Sequence, residues 1–303
     1  MTRIVPKDDG PEVRRISTIG LVANLGLMIF KFAVGIWGHS QALIADAIHS
    51  ASDLVADAAV IVGSKFWNAP PDSSHQHGHR RIETLISIAI GIAVIAVGVF
   101  LAYESALALW HGEETHPEFS VAVAAAVSVL VKELLFRYTR QQGKKLRSIA
   151  LEATAQHHRS DALSSAPVLV AVLLALVFPK CGFFDSLGAL IVSFLIMHSG
   201  YEIIRPGIHQ VADGAPDEAV CKRLQDVALA VPGVLSIHRF RARIIGSDLE
   251  VTLHIVVSPK LSLLAAHDLS ELVERKLIES GENVVDALVH IDPYSKAREE
   301  QGA

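Results

Sequence analysis

A chain of 303 residues that is 51% hydrophobic and only 19% charged, with a mean hydropathy of +0.39, is too apolar for an ordinary soluble domain and suits several membrane spans. A formal net charge of −5 gives no electrostatic reason to expect a nucleic-acid partner. Residues 1–15 are polar and charged, without the short apolar core and cleavage site of a secretory signal.

Six apolar segments of spanning length follow, at about 16–38, 41–67, 82–110, 119–139, 149–178 and 183–204. Several exceed the minimum span, which predicts tilt or extension beyond the bilayer. Basic residues sort between alternate loops. Arg3, Lys7, Arg14 and Arg15 precede the first span; Lys65, Arg80 and Arg81 flank the second loop; Arg137, Arg140, Lys144, Lys145 and Arg147 flank the fourth. The opposite loops offer only Lys180, with Glu113, Glu114 and Glu118 beside His111 and His116. The positive-inside rule then places both termini of a multi-pass protein in the cytosol. It also puts Cys181 and Cys221 on opposite sides of the membrane, where they do not pair. The small, loop-poor architecture suits a bacterial inner or plasma membrane.

After Arg205-Pro206 the pattern changes to that of a small soluble domain. Apolar spacing predicts a helix over 217–230, broken by Pro232-Gly233, then strands over 234–245 and 249–257 joined by a turn at Gly246-Ser247-Asp248. A second helix over 262–279 and a last strand over 284–291 complete the order α-β-β-α-β. That order suits an α+β sandwich with its helices on one face of the sheet. The resulting division is a cytosolic segment 1–15, a six-helix transmembrane domain 16–208, a cytosolic domain 209–295 and a tail 296–303.

The second and fifth spans carry the chemistry. Each has a His followed four residues later by an Asp, His49 with Asp53 and His157 with Asp161. That spacing sets both side chains on one helix face. Asp46 and Asp57 extend the polar stripe of the second span and are candidate pathway residues. A centrally placed Asp costs about 2.5–3.5 kcal/mol on the insertion scale, and shared coordination of a divalent cation offsets it. Two imidazoles and two carboxylates make a tetrahedral nitrogen–oxygen set that suits Zn²⁺ and tolerates Co²⁺, Fe²⁺ or Cd²⁺. The competing reading is a helix–helix hydrogen-bond network without metal.

Two further clusters stand outside the spans. The loop after the second span holds Asp72, His75, His77 and His79, a candidate metal site or a solvated His-rich loop. The soluble domain holds His238 and His254 on neighbouring predicted strands, His267 near the start of a helix, and His290 and Asp292 two apart on the last strand. A metal site and scattered surface residues both fit that spacing.

With these residues in place, the chain resembles the cation diffusion facilitator family of metal/proton antiporters, from about Val13 to Pro293. The resemblance rests on the two His-x-x-x-Asp pairs, on Ser40 to Asp53, on Gly78-His79-Arg80-Arg81-Ile82-Glu83 and on His290-Ile291-Asp292-Pro293. It implies a ferredoxin-like, metallochaperone-like cytosolic domain and a homodimer. It implies a transport site at His49, Asp53, His157 and Asp161, and a loop site at Asp72, His75 and His79, with His77 an added candidate. It also implies a dimer-interface site at His238, His254, His267, His290 and Asp292, and a salt bridge between Arg81 and Asp213. The bacterial zinc and cadmium exporters often carry Asp where this chain has His49, so the set resembles the zinc-selective eukaryotic members. The stretch from Gly78 to Thr84 resembles relatives implicated with iron, which keeps Fe²⁺ open; manganese-type members use more oxygen ligands, which ranks Mn²⁺ behind these cations.

The expected function is Zn²⁺ efflux in exchange for protons, by alternating access. Metal needs a neutral imidazole, so binding displaces a proton from His49 or His157, and reprotonation outside releases the metal. Enzyme activity is not expected, since an intramembrane metalloprotease lacks its H-E-x-x-H motif here. The remaining alternative is a membrane metal sensor or scaffold subunit without transport.

Overall fold

The computed structural model describes residues 10–67, 69–112, 115, 117–146, 149–178 and 182–295. Arg3, Lys7, Glu113, Glu114, His116, Arg147, Lys180, Cys181 and the tail from 296 lie outside the described residues. Six long helices come first: α1 (Gly10–Trp37), α2 (Gln41–Trp67), α3 (Arg81–His111), α4 (Phe119–Leu146), α5 (Ile149–Val177) and α6 (Phe183–Val211). Then follow α7 (Glu218–Leu229), β1 (Ser236–Ile245), β2 (Asp248–Val257), α8 (Leu263–Ile278) and β3 (Val284–Pro293).

Among the described residues, five helices are long and apolar enough to cross a membrane: α1, α3, α4, α5 and α6. The expected sixth span, α2, is not in that set, because Asp46, His49, Asp53 and Asp57 lower the hydropathy of its sequence. The chain divides into two compact units, Met1–Val60 with Ala89–Ile203, and Ile61–Ile88 with Ile204–Ala303.

In the first unit, small and β-branched side chains form the core: Ala42 and Ala45 of α2, Ala124 and Ala125 of α4, Val168 and Val172 of α5, Ala189 and Val192 of α6. Small residues let helices approach closely where apolar surroundings supply no hydrophobic drive. Gly188 of α6 shows how closely: a Cβ there would stand 2.5 Å from the Ala171 Cβ and 3.2 Å from that of Ala42. Large apolar side chains such as Leu130, Leu163 and Phe194 point outward instead.

In the second unit, β1 pairs antiparallel with β2, and β2 pairs parallel with β3. Val251, Leu253 and Ile255 turn one face of β2 toward Leu224 and Ala228 of α7 and Leu269, Val273 and Leu277 of α8. Both helices therefore cover the same face of the sheet. The Ser262 hydroxyl caps α8 by accepting from the Ala265 N–H at 3.2 Å.

The opposite face depends on an irregularity. Between the pairs His238–His254 and Arg241–Thr252, β1 spends three steps where β2 spends two. The extra residue is a β-bulge, with Arg239 in the left-handed region at φ 49°. Strict alternation would set His238 with Phe240, Ala242 and Ile244, which pack on the core. The bulge re-phases the strand, so His238 shares the open face with Arg241 and Arg243.

Candidate metal centres

In the first unit, the one-turn spacing on α5 sets His157 and Asp161 on one face, and Asp53 of α2 comes to the same point. Their ligand atoms all lie within 4.8 Å of one another. His157 Nε2 stands 3.8 Å from Asp161 Oδ2. Ligands around a tetrahedral zinc stand about 3.3 Å apart, from bonds of about 2.0–2.1 Å, so small side-chain shifts close the set. His49 does not join this group of three. Its ring is buried on α2, one turn before Asp53, and its Nδ1 has no hydrogen-bond partner among the described residues. An unsatisfied buried imidazole nitrogen one turn from a carboxylate fits a fourth ligand.

Around this site the structure places two buried cations that the His–Asp reading passed over. Lys31 of α1 is fully buried and donates to the Asp46 carbonyl at 3.1 Å, Asp46 Oδ2 at 3.0 Å and the Ser50 hydroxyl at 2.6 Å. The Ser165 hydroxyl of α5 donates to Asp46 Oδ1 at 2.9 Å. Asp46 is thus committed to a polar network. Lys132 of α4 is 2% exposed, and its Nζ stands 3.9 Å from Asp161 Oδ2, 3.5 Å from the Asp161 carbonyl and 3.4 Å from the Ser165 hydroxyl. For Lys31 a sequence signal was available, a lone charge inside an apolar span, whereas Lys132 stands beside Glu133. His158, also overlooked, is buried on α5 with neither ring nitrogen partnered among the described residues. The Asp57 side chain lies outside the described residues.

In the second unit, the loop site is built on an Asx turn. Asp72 Oδ1 accepts the N–H of Ser74 at 2.8 Å and of His75 at 2.6 Å. These bonds hold the Asp72 carboxyl below its ordinary range. Gly78, at φ 81°, turns the chain so that His79 Nε2 comes within 3.3 Å of Asp72 Oδ2, with His75 Nδ1 3.5 Å from Oδ1. Ligand atoms of Asp72, His75 and His79 lie within 4.8 Å of one another. His77 is exposed, outside that trio, and lines an adjoining cavity of about 510 Å³.

On the open face of the sheet, register alone aligns three imidazoles: His238 lies opposite His254, and His254 opposite His290. Ring centroids are 5.1 Å and 4.4 Å apart. Asp292, two residues beyond His290, shares the face. Its Oδ2 faces His238 Nε2 at 3.0 Å and His254 Nδ1 at 2.9 Å, and these three residues form the tight group. His290 Nε2 is farther, 3.8 Å from Oδ1. His267 is not brought here: it lies on α8, which covers the other face, and pairs with Glu271 at 3.2 Å.

Arg81 donates to Asp213 Oδ1 at 2.6 Å, and Arg243 reaches the same oxygen at 3.2 Å. The Arg81 hydrogen bond, then the two positive charges, hold the Asp213 carboxyl below its ordinary range. Arg243 also grips Glu250 Oε2 through Nε at 2.8 Å and Nη2 at 2.6 Å, and Arg80 pairs with Asp248.

Comparisons with known proteins divide the chain once, near residue 210. The cation efflux transmembrane domain matches residues 17–210, and the cation efflux protein cytoplasmic domain matches residues 216–294. The chain is similar to the manganese efflux system protein MneP of Bacillus subtilis, 32% identical over 286 residues, covering 93% of this chain and 96% of that protein. It is similar to an uncharacterized transporter of Methanocaldococcus jannaschii, 36% identical over 287 residues, covering 93% and 98%. It is also similar to metal tolerance protein C1 of Arabidopsis thaliana, 34% identical over 300 residues, covering 94% of this chain and 63% of that protein.

Proposed function

The chain belongs to the cation diffusion facilitator family, an integral membrane metal transporter, and from that premise we propose that it exports Zn²⁺ in exchange for protons. The observation that carries the reading is the convergence of Asp53, His157 and Asp161 within 4.8 Å, with the unsatisfied His49 Nδ1 one turn away. Mixed imidazole and carboxylate donors suit a borderline cation. Co²⁺, Fe²⁺ and Cd²⁺ are tolerated by the same donors and rank behind Zn²⁺.

In this proposal α2 is the sixth span, both termini face the cytosol, and two copies pair through their cytosolic domains. Imidazole must be neutral to bind metal, so metal entry expels a proton and proton entry from outside expels metal. Alternating access of one fixed site then couples the two flows. The loop trio at Asp72 and the sheet-face trio at Asp292 serve as cytosolic metal sites that tune transport.

Mn²⁺ is the second reading. It is favoured by the 32% identity to a protein named for manganese efflux and by the two carboxylates among three converged ligands.

The test is uptake of Zn²⁺, Mn²⁺, Fe²⁺, Co²⁺ and Cd²⁺ by purified protein in liposomes, with and without a pH gradient, beside Asp161→Ala. Gradient-driven Zn²⁺ flux that the variant lacks is the expected result. Mn²⁺ flux in preference to Zn²⁺ selects the second reading. Binding without flux for every metal selects a sensor or scaffold.

A further inference from the structure

The two buried lysines beside the transport site are held very differently. Lys31 makes three contacts of 2.6–3.1 Å and is locked. Lys132 makes none shorter than 3.4 Å among those observed, although it is 2% exposed. Its four-carbon stem is flexible and its ammonium is a compact charge. It faces the Asp161 carboxylate, which lies within 4.8 Å of ligand atoms of Asp53 and His157. Among the described residues no hydroxyl or carboxylate grips it tightly, so it can withdraw from Asp161 at little cost in hydrogen bonding.

The charge balance gives that freedom a use. Asp46 is matched by Lys31. Asp161 has Lys132 as its lysine partner among the described residues, and Asp53 adds a second carboxylate to the group, so with neutral imidazoles the formal charges leave a deficit of one. A divalent ion overcompensates the deficit and stands close to an ammonium in surroundings of low polarity, where like charges repel strongly.

We infer that Lys132 is a tethered cation that competes with the transported metal for Asp161. When metal arrives, the ammonium is pushed off the carboxylate; when metal leaves, it returns and stabilises the empty site. Its fixed charge weakens metal binding, and that weakness lets the ion depart at a useful rate. Lys132 is therefore a positioning residue acting through Asp161, and it is the charge that matters. This inference rests on the reading of Asp53, His157 and Asp161 as the transport site.

The experiment measures equilibrium binding and liposome flux of Zn²⁺ and Mn²⁺ for the full-length protein and for Lys132→Met, Lys132→Arg and Asp161→Asn. Binding lost in Asp161→Asn defines the membrane site; if nothing is lost there, the transport-site reading itself fails, whatever Lys132 does. Lys132→Met is expected to tighten that component at least tenfold and to lower KM and kcat together. Lys132→Arg, which keeps the charge, is expected to stay within about threefold of the parent. A counter-ion that only stabilises the fold would lower thermal stability without tightening metal binding. Unchanged or weaker binding in Lys132→Met overturns the proposal, as does tightening in Lys132→Arg equal to that in Lys132→Met. Where Lys132→Met does not fold, Lys132→Gln, which keeps a partner for Ser165, is read by the same outcomes.

Discussion

The Asp185 carboxylate at the start of α6 caps the start of α2 through two short bonds: Oδ2 accepts the Gln41 N–H at 2.6 Å and Oδ1 the Ser40 hydroxyl at 2.6 Å. Ser40 Oγ in turn accepts the Leu43 N–H at 3.1 Å. A helix begins with four N–H groups that lack intrahelical partners, and a carboxylate there also meets the positive end of the helix dipole. Asp185 is fully buried, so water cannot replace it. Asp185→Ala is expected to destabilise the fold by about 1–2 kcal/mol, the usual worth of a cap. It should also raise KM, because α2 carries His49 and Asp53. Asp185→Asn keeps an acceptor and should fall between. Thermal unfolding in detergent and liposome flux check both effects; an unchanged KM in Asp185→Ala would separate the cap from the site.

The Arg81–Asp213 bond carries a pH prediction. Its carboxyl sits below the ordinary range in the folded protein, so folding favours the ionised form. That contribution is complete above the unfolded carboxyl's pKa and disappears as pH falls through the lower, folded one. The pair is exposed at 46% and 54%, so the effect is small and screened by salt. The melting-temperature gap between parent and Asp213→Asn should be largest near neutrality and close as pH falls below the carboxylate range. A gap that stays constant to low pH would show that ionisation of Asp213 contributes nothing, because Asn tolerates the positive φ of 55° at this position as Asp does.

On the open sheet face, the predicted ranking follows distance to Asp292. His238 and His254 approach its Oδ2 at 3.0 Å and 2.9 Å, and His290 stands 3.8 Å from Oδ1. His254→Ala and Asp292→Asn should each weaken metal binding at this face by tenfold or more, and His290→Ala by less. Transport at saturating metal should persist in all three, with its activation by cytosolic metal shifted to higher concentration. Calorimetric titration and flux against cytosolic Zn²⁺ read the two effects; identical activation curves for parent and His254→Ala would remove the regulatory role.

Much of the C-terminal domain was legible because its signals are local. Leu249, Val251, Leu253 and Ile255 alternate with polar residues, and β2 spans Asp248–Val257. The face of His238 was not legible, since a single extra residue at Arg239 reverses which side every preceding residue of β1 faces. At the membrane site, spacing set His49 with Asp53 and His157 with Asp161, but it carries no information on which helices meet. Lys31 and Lys132 therefore stood unnoticed in α1 and α4, where only tertiary packing brings them to Asp46 and Asp161. Asp185 escaped for the same reason: it lies 145 residues from the hydroxyl it accepts from. The spans of α1, α3, α4, α5 and α6 were legible from apolarity, while the polar residues of α2 make that helix less apolar.

The last prediction separates a locked buried pair from a mobile one. Lys31 and Asp46 are 3.0 Å apart with 0% and 1% exposure. Removing one partner of such a pair strands a desolvated charge and typically costs 3–5 kcal/mol. Lys31→Met should therefore sharply lower the yield of folded protein. Replacing both partners, Lys31→Met with Asp46→Leu, should recover most of the loss, because a well-packed apolar pair of similar volume is often neutral or better. Ser50 and Ser165 lose a donor and an acceptor in that double variant, so recovery should be incomplete. The readout is a double-mutant cycle on thermal stability, with flux measured on the double variant. A large favourable coupling with metal affinity unchanged identifies Lys31 as structural. A double variant that folds well yet binds metal differently would show instead that the charge of this pair reaches the proposed transport site, and would move Asp46 from scaffold to machinery.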